Sequence, residues 1–465
     1  MSSNRLCLFI LVITFSVVAV VRLTQDQDGR LQDRLMRRPS FAVRNDSNTH
    51  NRTVLVSPPT NKFRENLKPD VKYVTTWNKE GMTNQLETHV NLIYLGMISD
   101  RVPILSPFIP SAHLGDGQHP YLDFGKVYDM ARLRRALQIP IVEWSAVKRA
   151  PYGQPPEVGT GFHPKKGPNV EELGCWASRY VTAKYITDDT TAAQLLQLDI
   201  SFTTLPPRML TEPGPGAYHV KFWGLASVLF PDGRRDVLSE EVPRKVAGGT
   251  TSYYEPDEQL ACFDNLFGTS AFVEYEWYKD YSPAWRFVGR HVHFTDEVQY
   301  LVDQYLKKTL GVDDNKTLPP FIAVHIRRDD WAKEYFDAHP GANCWASLTD
   351  FAKHVKETQQ RLILKFGVDS PLGNVKRVIV TSDERNATWW KEVLEMGWSR
   401  IDHEKERTSE TLGTWWPTII DAAVQSRAIG LVGTRHSTMS MVAGRRVQDW
   451  NGGVTAMVAR PSVCS

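Results

Sequence analysis

Residues 325–331, His325-Ile326-Arg327-Arg328-Asp329-Asp330-Trp331, begin at the end of a strand-like run, Phe321 to Ile326, that is apolar but for His325. A departing diphosphate needs fixed positive charge, and arginine supplies it in a planar fork that grips two phosphate oxygens. Elsewhere an Arg-Arg-Asp-Asp run reads as solvated surface charge. Its place at the end of a buried strand favours the anion-binding reading, with Arg327 as the leading residue. Arg328 falls by register on the other side of the extended chain.

Two further clusters share this placement. Glu80-Gly81-Met82-Thr83-Asn84-Gln85 opens a helical stretch. Gly81 permits close backbone approach, the helix start offers free N–H groups, and Asn84 and Gln85 carry amides able to meet sugar or phosphate oxygens. Val432-Gly433-Thr434-Arg435-His436-Ser437-Thr438-Met439-Ser440 again runs from strand to helix and makes a hydroxyl rim. Taken alone, the first is ordinary turn chemistry and the second an ordinary helix cap. Thr381-Ser382-Asp383, at another strand end, adds a carboxylate suited to a ribose or guanine donor group.

These clusters need elements to hold them. Val71 to Trp77 is rich in β-formers, and Leu86, Val90, Ile93, Tyr94 and Met97 recur at helical spacing. Val102 to Ile109 is a second strand, so the opening unit is strand, helix, strand, as in a parallel α/β sheet. From Phe321 onward the pattern is equally clear. Ser347 with Asp350 forms a capping box before a helix ending near Phe366. Val375–Thr381 and Ala428–Val432 read as strands, and Trp389–Met396, Trp416–Ser426 and Thr438–Arg445 as helices. The stretch from about Ser145 to Asp280 has patchy periodicity and receives no detailed assignment. It is expected to complete the first domain and to carry insertions that shape an acceptor site. The architecture is α/β, with two Rossmann-like domains facing across a cleft.

The 465 residues suit two medium domains better than one core. With 55 basic against 53 acidic side chains the net charge is +2, which removes nucleic-acid binding from consideration. Leu6 to Val21 is apolar and bounded by Arg5 and Arg22. It reads either as a cleaved signal peptide or as a signal-anchor. Its Val-Val-Ala-Val-Val end is a poor cleavage site, and its short length suits an early secretory membrane. The anchor is therefore the preferred reading. Beyond it, Cys175, Cys262, Cys344 and Cys464 allow two disulfides in three possible pairings. Sequons begin at Asn45, Asn51, Asn315 and Asn386. The expected organisation is a tail and anchor over 1–23, a flexible stem over 24–68, an acceptor-side domain over 69–317, and a nucleotide-sugar domain over 318–465.

In order and approximate spacing the clusters resemble the GDP-fucose protein O-fucosyltransferase family, within the O-fucosyltransferase-like superfamily. The matching residues are Gly81, Asn84 and Gln85, then His325-Ile326-Arg327 with Asp330-Trp331. Thr381 with Asp383, Asp421, and Gly433 through Ser440 follow. The resemblance implies a GT-B-like fold and an inverting enzyme that transfers fucose from GDP-fucose to a hydroxyl of a protein or glycan. It implies that Arg327 contacts the departing diphosphate and that Asn84 lies near diphosphate and acceptor. Gly81, His325, Asp330, Asp383, Ser437 and Thr438 would form the donor pocket. One branch of the family places a glutamate just before the glycine, which makes Glu80 the candidate base. No cofactor or metal is expected. Asp329 departs from the glycine or serine often found between the arginine and Asp-Trp. The expected setting is lumenal, on a single-pass type II protein of the Golgi or endoplasmic reticulum membrane. Competing readings are another deoxyhexosyltransferase, such as a rhamnosyltransferase, and an inactive lumenal glycan-binding protein.

Overall fold

The computed structural model describes residues 54–77, 81–110, 114, 120–149, 168–178, 195–206, 209, 220–240, 244–246, 253–273, 276–328 and 345–459. The apolar run Leu6–Val21, Cys344, Cys464, Asn45 and Asn51 lie outside these residues, and among the described residues no helix is long and apolar enough to cross a membrane.

Among the described residues, twelve strands form two sheets. The first contains β1 (Tyr73–Thr76), β2 (Val102–Leu105), β3 (Val142–Glu143), β4 (Glu171–Ala177), β5 (Leu198–Thr204), β6 (Arg244–Val246) and β7 (Leu260–Phe263), in the order β3-β2-β1-β7-β4-β5-β6. Every pairing is parallel except β5 with β6. Four of these strands, β4 to β7, come from the stretch that sequence periodicity left unassigned. β6 and β7 are short, and the chain between β5 and β7 is crowded with glycine, proline and aromatic residues, so no long period develops. Helix α1 (Met82–Ser99) links β1 to β2 and buries Leu86, Val90 and Ile93, as their spacing predicts.

The second sheet contains β8 (Ile322–Ile326), β9 (Val378–Ser382), β10 (Ser399–Arg400), β11 (Gly430–Thr434) and β12 (Val454–Val458). All are parallel, in the order β10-β9-β8-β11-β12. Numbered within this sheet the order is 3-2-1-4-5, the doubly wound arrangement. β8 is buried along its whole length, which explains why its sequence is apolar but for His325. Helix α2 (Asp296–Leu310) precedes β8 and packs with the second sheet's layer through Val298, Val302 and Leu306. Helices α3 (Leu348–Phe366), α4 (Ala387–Glu395), α5 (Trp416–Arg427) and α6 (Thr438–Asn451) complete the layers. The Ser347–Asp350 capping box is present at α3.

Both sheets lie in one compact unit, Asp46–Asp314 with Leu318–Ser465. Helix α6 carries the junction between them. Arg445 Nε donates to the Trp277 carbonyl at 2.9 Å, and Trp285 Nε1 donates to Asp449 at 2.6 Å. Arg446, 2% exposed, lies over the rings of Tyr128, Phe294 and Trp450 at 5.3, 4.6 and 5.0 Å. Aromatic faces offset part of the cost of burying a guanidinium.

Residues 54–67, the end of the expected stem, belong to this core. Val54, Leu55, Phe63 and Leu67 are buried against the first sheet. Glu171, at the start of β4, accepts from the N–H groups of Phe63 and Arg64 and pairs with buried Lys148 at 2.8 Å. Of the cysteines, Cys175 on β4 is disulfide-bonded to Cys262 on β7, and both are fully buried.

Candidate active site

In the second sheet the chain reverses its lateral progress between β8 and β11; in the first, β2 and β3 lie to one side of β1, β4 to β6 to the other, and β7 returns to pair with β1. Open α/β sheets bind ligands beyond the carboxyl ends of strands at such points, where loops diverge and helix N-termini converge. β8 ends in His325 and Ile326, with Arg327 next in the chain, and β11 leads through a turn to Ser437.

The side chains there form one network. Thr434 Oγ1 accepts from the Arg327 N–H and donates to the His325 carbonyl, both at 3.0 Å. Ser440 Oγ accepts from the Thr434 N–H at 3.0 Å and lies 2.7 Å from His325 Nδ1. Arg327 Nη1 meets Asp383 Oδ2 at 2.9 Å, while Asp383 Oδ1 accepts from the Arg328 N–H at 2.7 Å. The structure therefore brings His325, Arg327 and Asp383 together with the Thr434–Ser440 turn. Asp383 uses each carboxylate oxygen on a protein partner.

Burial, and secondarily the charge of Arg327, pushes the His325 imidazole down to about 3. Its ordinary value lies near 6.5. Folding is therefore favoured by this neutral ring above pH 6.5. That contribution is lost as pH falls from there toward 3, because only the unfolded chain takes up the proton. We expect the His325 ring carbon resonances to stay constant between pH 5 and 8; a titration midpoint near 6.5 would show an exposed ring. Glu143, raised to about 7 by burial and then by Asp123, acts in the opposite sense. It favours the fold most below pH 4.5, and loses that effect as pH rises through 7.

Ser437 caps α6, its hydroxyl accepting from the Ser440 N–H, and Thr438 begins the helix. The turn requires glycine at Gly433, where a Cβ would stand 2.6 Å from Ser440 Cβ and 2.9 Å from Met457 Sδ. Ser440 cannot retreat without moving the helix start. We expect Gly433→Ala to cost about 1–3 kcal/mol, on the scale of overpacking. Denaturant unfolding measures it, and an unchanged midpoint would show that the turn adapts.

Across the crevice, Gly81 is the N-cap position of α1, and its carbonyl accepts from the Asn84 and Gln85 N–H groups. Met82 and Thr83 line the same small crevice as Thr418, Gln425, Met439 and Arg446. The first turns of α1 and α6 thus border one space; His325, Arg327, Asp383, Ser437 and Thr438 are not among the residues lining it. Gln85 is a correction: it is fully buried and bridges Ile109 with its amide, donating to the carbonyl and accepting from the N–H at 2.8 Å each. It braces the loop after β2 and is not available to a sugar. Asn84 is half-buried beside it. Glu80, Asp330 and Trp331 lie outside the described residues.

Sequence reasoning missed two features. Arg446 reads as one of a solvated Arg-Arg pair on a helix, and nothing local announces its aromatic surroundings. His403 Nε2 lies 3.0 Å from Asp421 Oδ1 and its Nδ1 lies 3.1 Å from Thr408 Oγ1, a contact built from separate elements.

No protein-family model matches the chain, and no curated protein matches it. Solved structures similar to it include the apo form of POFUT1, with 14% identity and a TM-score of 0.48 over 84% of this chain and 98% of that one. POFUT1 in complex with GDP-fucose gives 14% and 0.47 over the same shares. The fucosyltransferase NodZ from Bradyrhizobium gives 12% and 0.35 over 80% of this chain and 93% of that one.

Proposed function

We propose that this chain is a fucosyltransferase of the O-fucosyltransferase-like superfamily, transferring fucose from GDP-fucose to a hydroxyl of a protein or glycan. The observation that supports it most is the Arg327 fork at the switch point between β8 and β11, beside the hydroxyl turn capped by Ser437. Arg327 exchanges Asp383 for the diphosphate, and the N-termini of α6 and α1 add N–H donors and positive dipole ends. His325, held neutral, contributes shape and hydrogen bonding without competing for the anion.

The transfer is a single displacement with inversion. The acceptor oxygen forms its bond to the anomeric carbon as the bond to the diphosphate breaks. The bonding pair leaves with GDP, and the hydroxyl proton passes to a base. Glu80 is the residue assigned that task, with Asn84 near diphosphate and acceptor, and Asp330 in the donor pocket. Gly81, Ser437 and Thr438 supply the remaining donor contacts. Neutralisation of the leaving group by Arg327 makes a metal unnecessary. The proposed setting is the lumen of the Golgi or endoplasmic reticulum, behind an N-terminal anchor.

Calorimetric titration with GDP, GDP-fucose, GDP-mannose and UDP-rhamnose tests the proposal. We expect GDP and GDP-fucose to bind, and fucose to be released or transferred in excess EDTA. Preference for UDP-rhamnose would point to rhamnosyl transfer. Binding without turnover would indicate a lectin-like protein, and no nucleotide binding would remove the enzyme reading.

A further inference from the structure

Arg328 was expected to matter less, since by register it points to the opposite side of the extended chain from Arg327. Its surroundings are nevertheless closely organised. The guanidinium carbon lies 5.4 Å from the centre of the Trp345 ring and 5.2 Å from that of Trp389. Its Nε meets Glu384 Oε2 at 2.5 Å, with both side chains mostly buried. Glu384 is fixed in turn: Oε1 accepts from the N–H groups of Arg385 and Asn386 at 2.9 and 2.8 Å. The Glu384 carbonyl accepts from Trp390 Nε1 at 2.8 Å. Ser382 Oγ donates to the Ile326 carbonyl at 2.6 Å and accepts from the Glu384 N–H at 3.2 Å, joining the ends of β8 and β9.

Asp383 therefore sits between two anchored neighbours. One of its oxygens is set by the Arg328 N–H and the other faces Arg327. Resting on the reading of Arg327 as the diphosphate ligand, we propose that Arg328, held between Trp345 and Trp389 and paired with Glu384, is a positioning residue. It acts through Asp383 to aim the Arg327 fork into the donor cleft. The device needs arginine itself, because lysine has neither the planar face that fits between two indoles nor a delocalised planar cation to hold beside Glu384.

A double-mutant cycle on GDP affinity tests this. Arg328→Lys is expected to weaken GDP binding about tenfold, the scale of one misaligned charge-assisted contact, with donor KM rising more than kcat falls. In an Arg327→Ala background the same substitution should change GDP affinity less than twofold, because the residue it positions is gone. Glu384→Gln should behave as Arg328→Lys does, and provides the test if the lysine variant fails to fold. Equal losses in both backgrounds would show that Arg328 acts independently of Arg327 and overturn the proposal. So would unchanged affinity in an Arg328→Lys protein whose parent binds GDP, leaving the functional reading intact. A parent chain that binds no GDP would remove the functional reading itself.

Discussion

Arg327→Ala is expected to lower the transfer rate by about two to three orders of magnitude, the scale of removing one transition-state charge stabiliser. The structure sharpens the reason. Arg327 is held at the carboxyl end of a fully buried strand, its N–H bonded to Thr434 and its guanidinium to Asp383. Little reorganisation is needed to exchange one anionic partner for another, so the charge is ready when the glycosidic bond breaks. Arg327→Lys should recover only part of the rate, since an ammonium cannot grip two oxygens at fixed geometry. Single-turnover transfer measures both. Wild-type turnover in the alanine variant would move the diphosphate contact elsewhere.

Loss of the Cys175–Cys262 bond is expected to have the largest effect on stability. The bond closes a sequence separation of 87. On the chain-entropy account, a loop of that length restricts the unfolded state by about 4.5 kcal/mol. Both cysteines are fully buried, and Trp77 Nε1 donates to Cys262 Sγ at 3.0 Å, so a polar replacement would also disturb a packed sheet. Cys262→Ala, or a reductant with denaturant, should lower the unfolding midpoint substantially. A shift no larger than that of a surface substitution would show that the rest of the core carries the sheet. A bond that matters this much also fits an oxidising compartment.

The two ends of the α/β unit were open to sequence reasoning because they are regular. β8 is buried on both faces and reads as apolar but for His325; α1, α3 and α6 carry helical spacing or caps. The middle was not, because β4 to β7 are brought together by tertiary pairing that no local period records. Helix α2 could have been found, since Thr295 caps it and Val298, Val302 and Leu306 repeat every four residues. The site divides in the same way. Strand-end placement singled out Arg327, His325 and Ser437. That Asp383 would join Arg327 could not be read, as the two lie on different strands and Arg328, which also binds Asp383, is 55 residues away in sequence. Gln85 misled because an amide beside a glycine looks the same whether it faces a sugar or a buried carbonyl.

The docking of residues 54–67 has a topographic consequence. That segment lies by the amino ends of β1, β4 and β7: Tyr73 Oη donates to the Val54 carbonyl, Glu171 holds Phe63, and Gln259 donates to the Lys68 carbonyl. The crevice opens at the other pole, where those strands finish. The chain therefore enters the described unit at the pole away from the crevice.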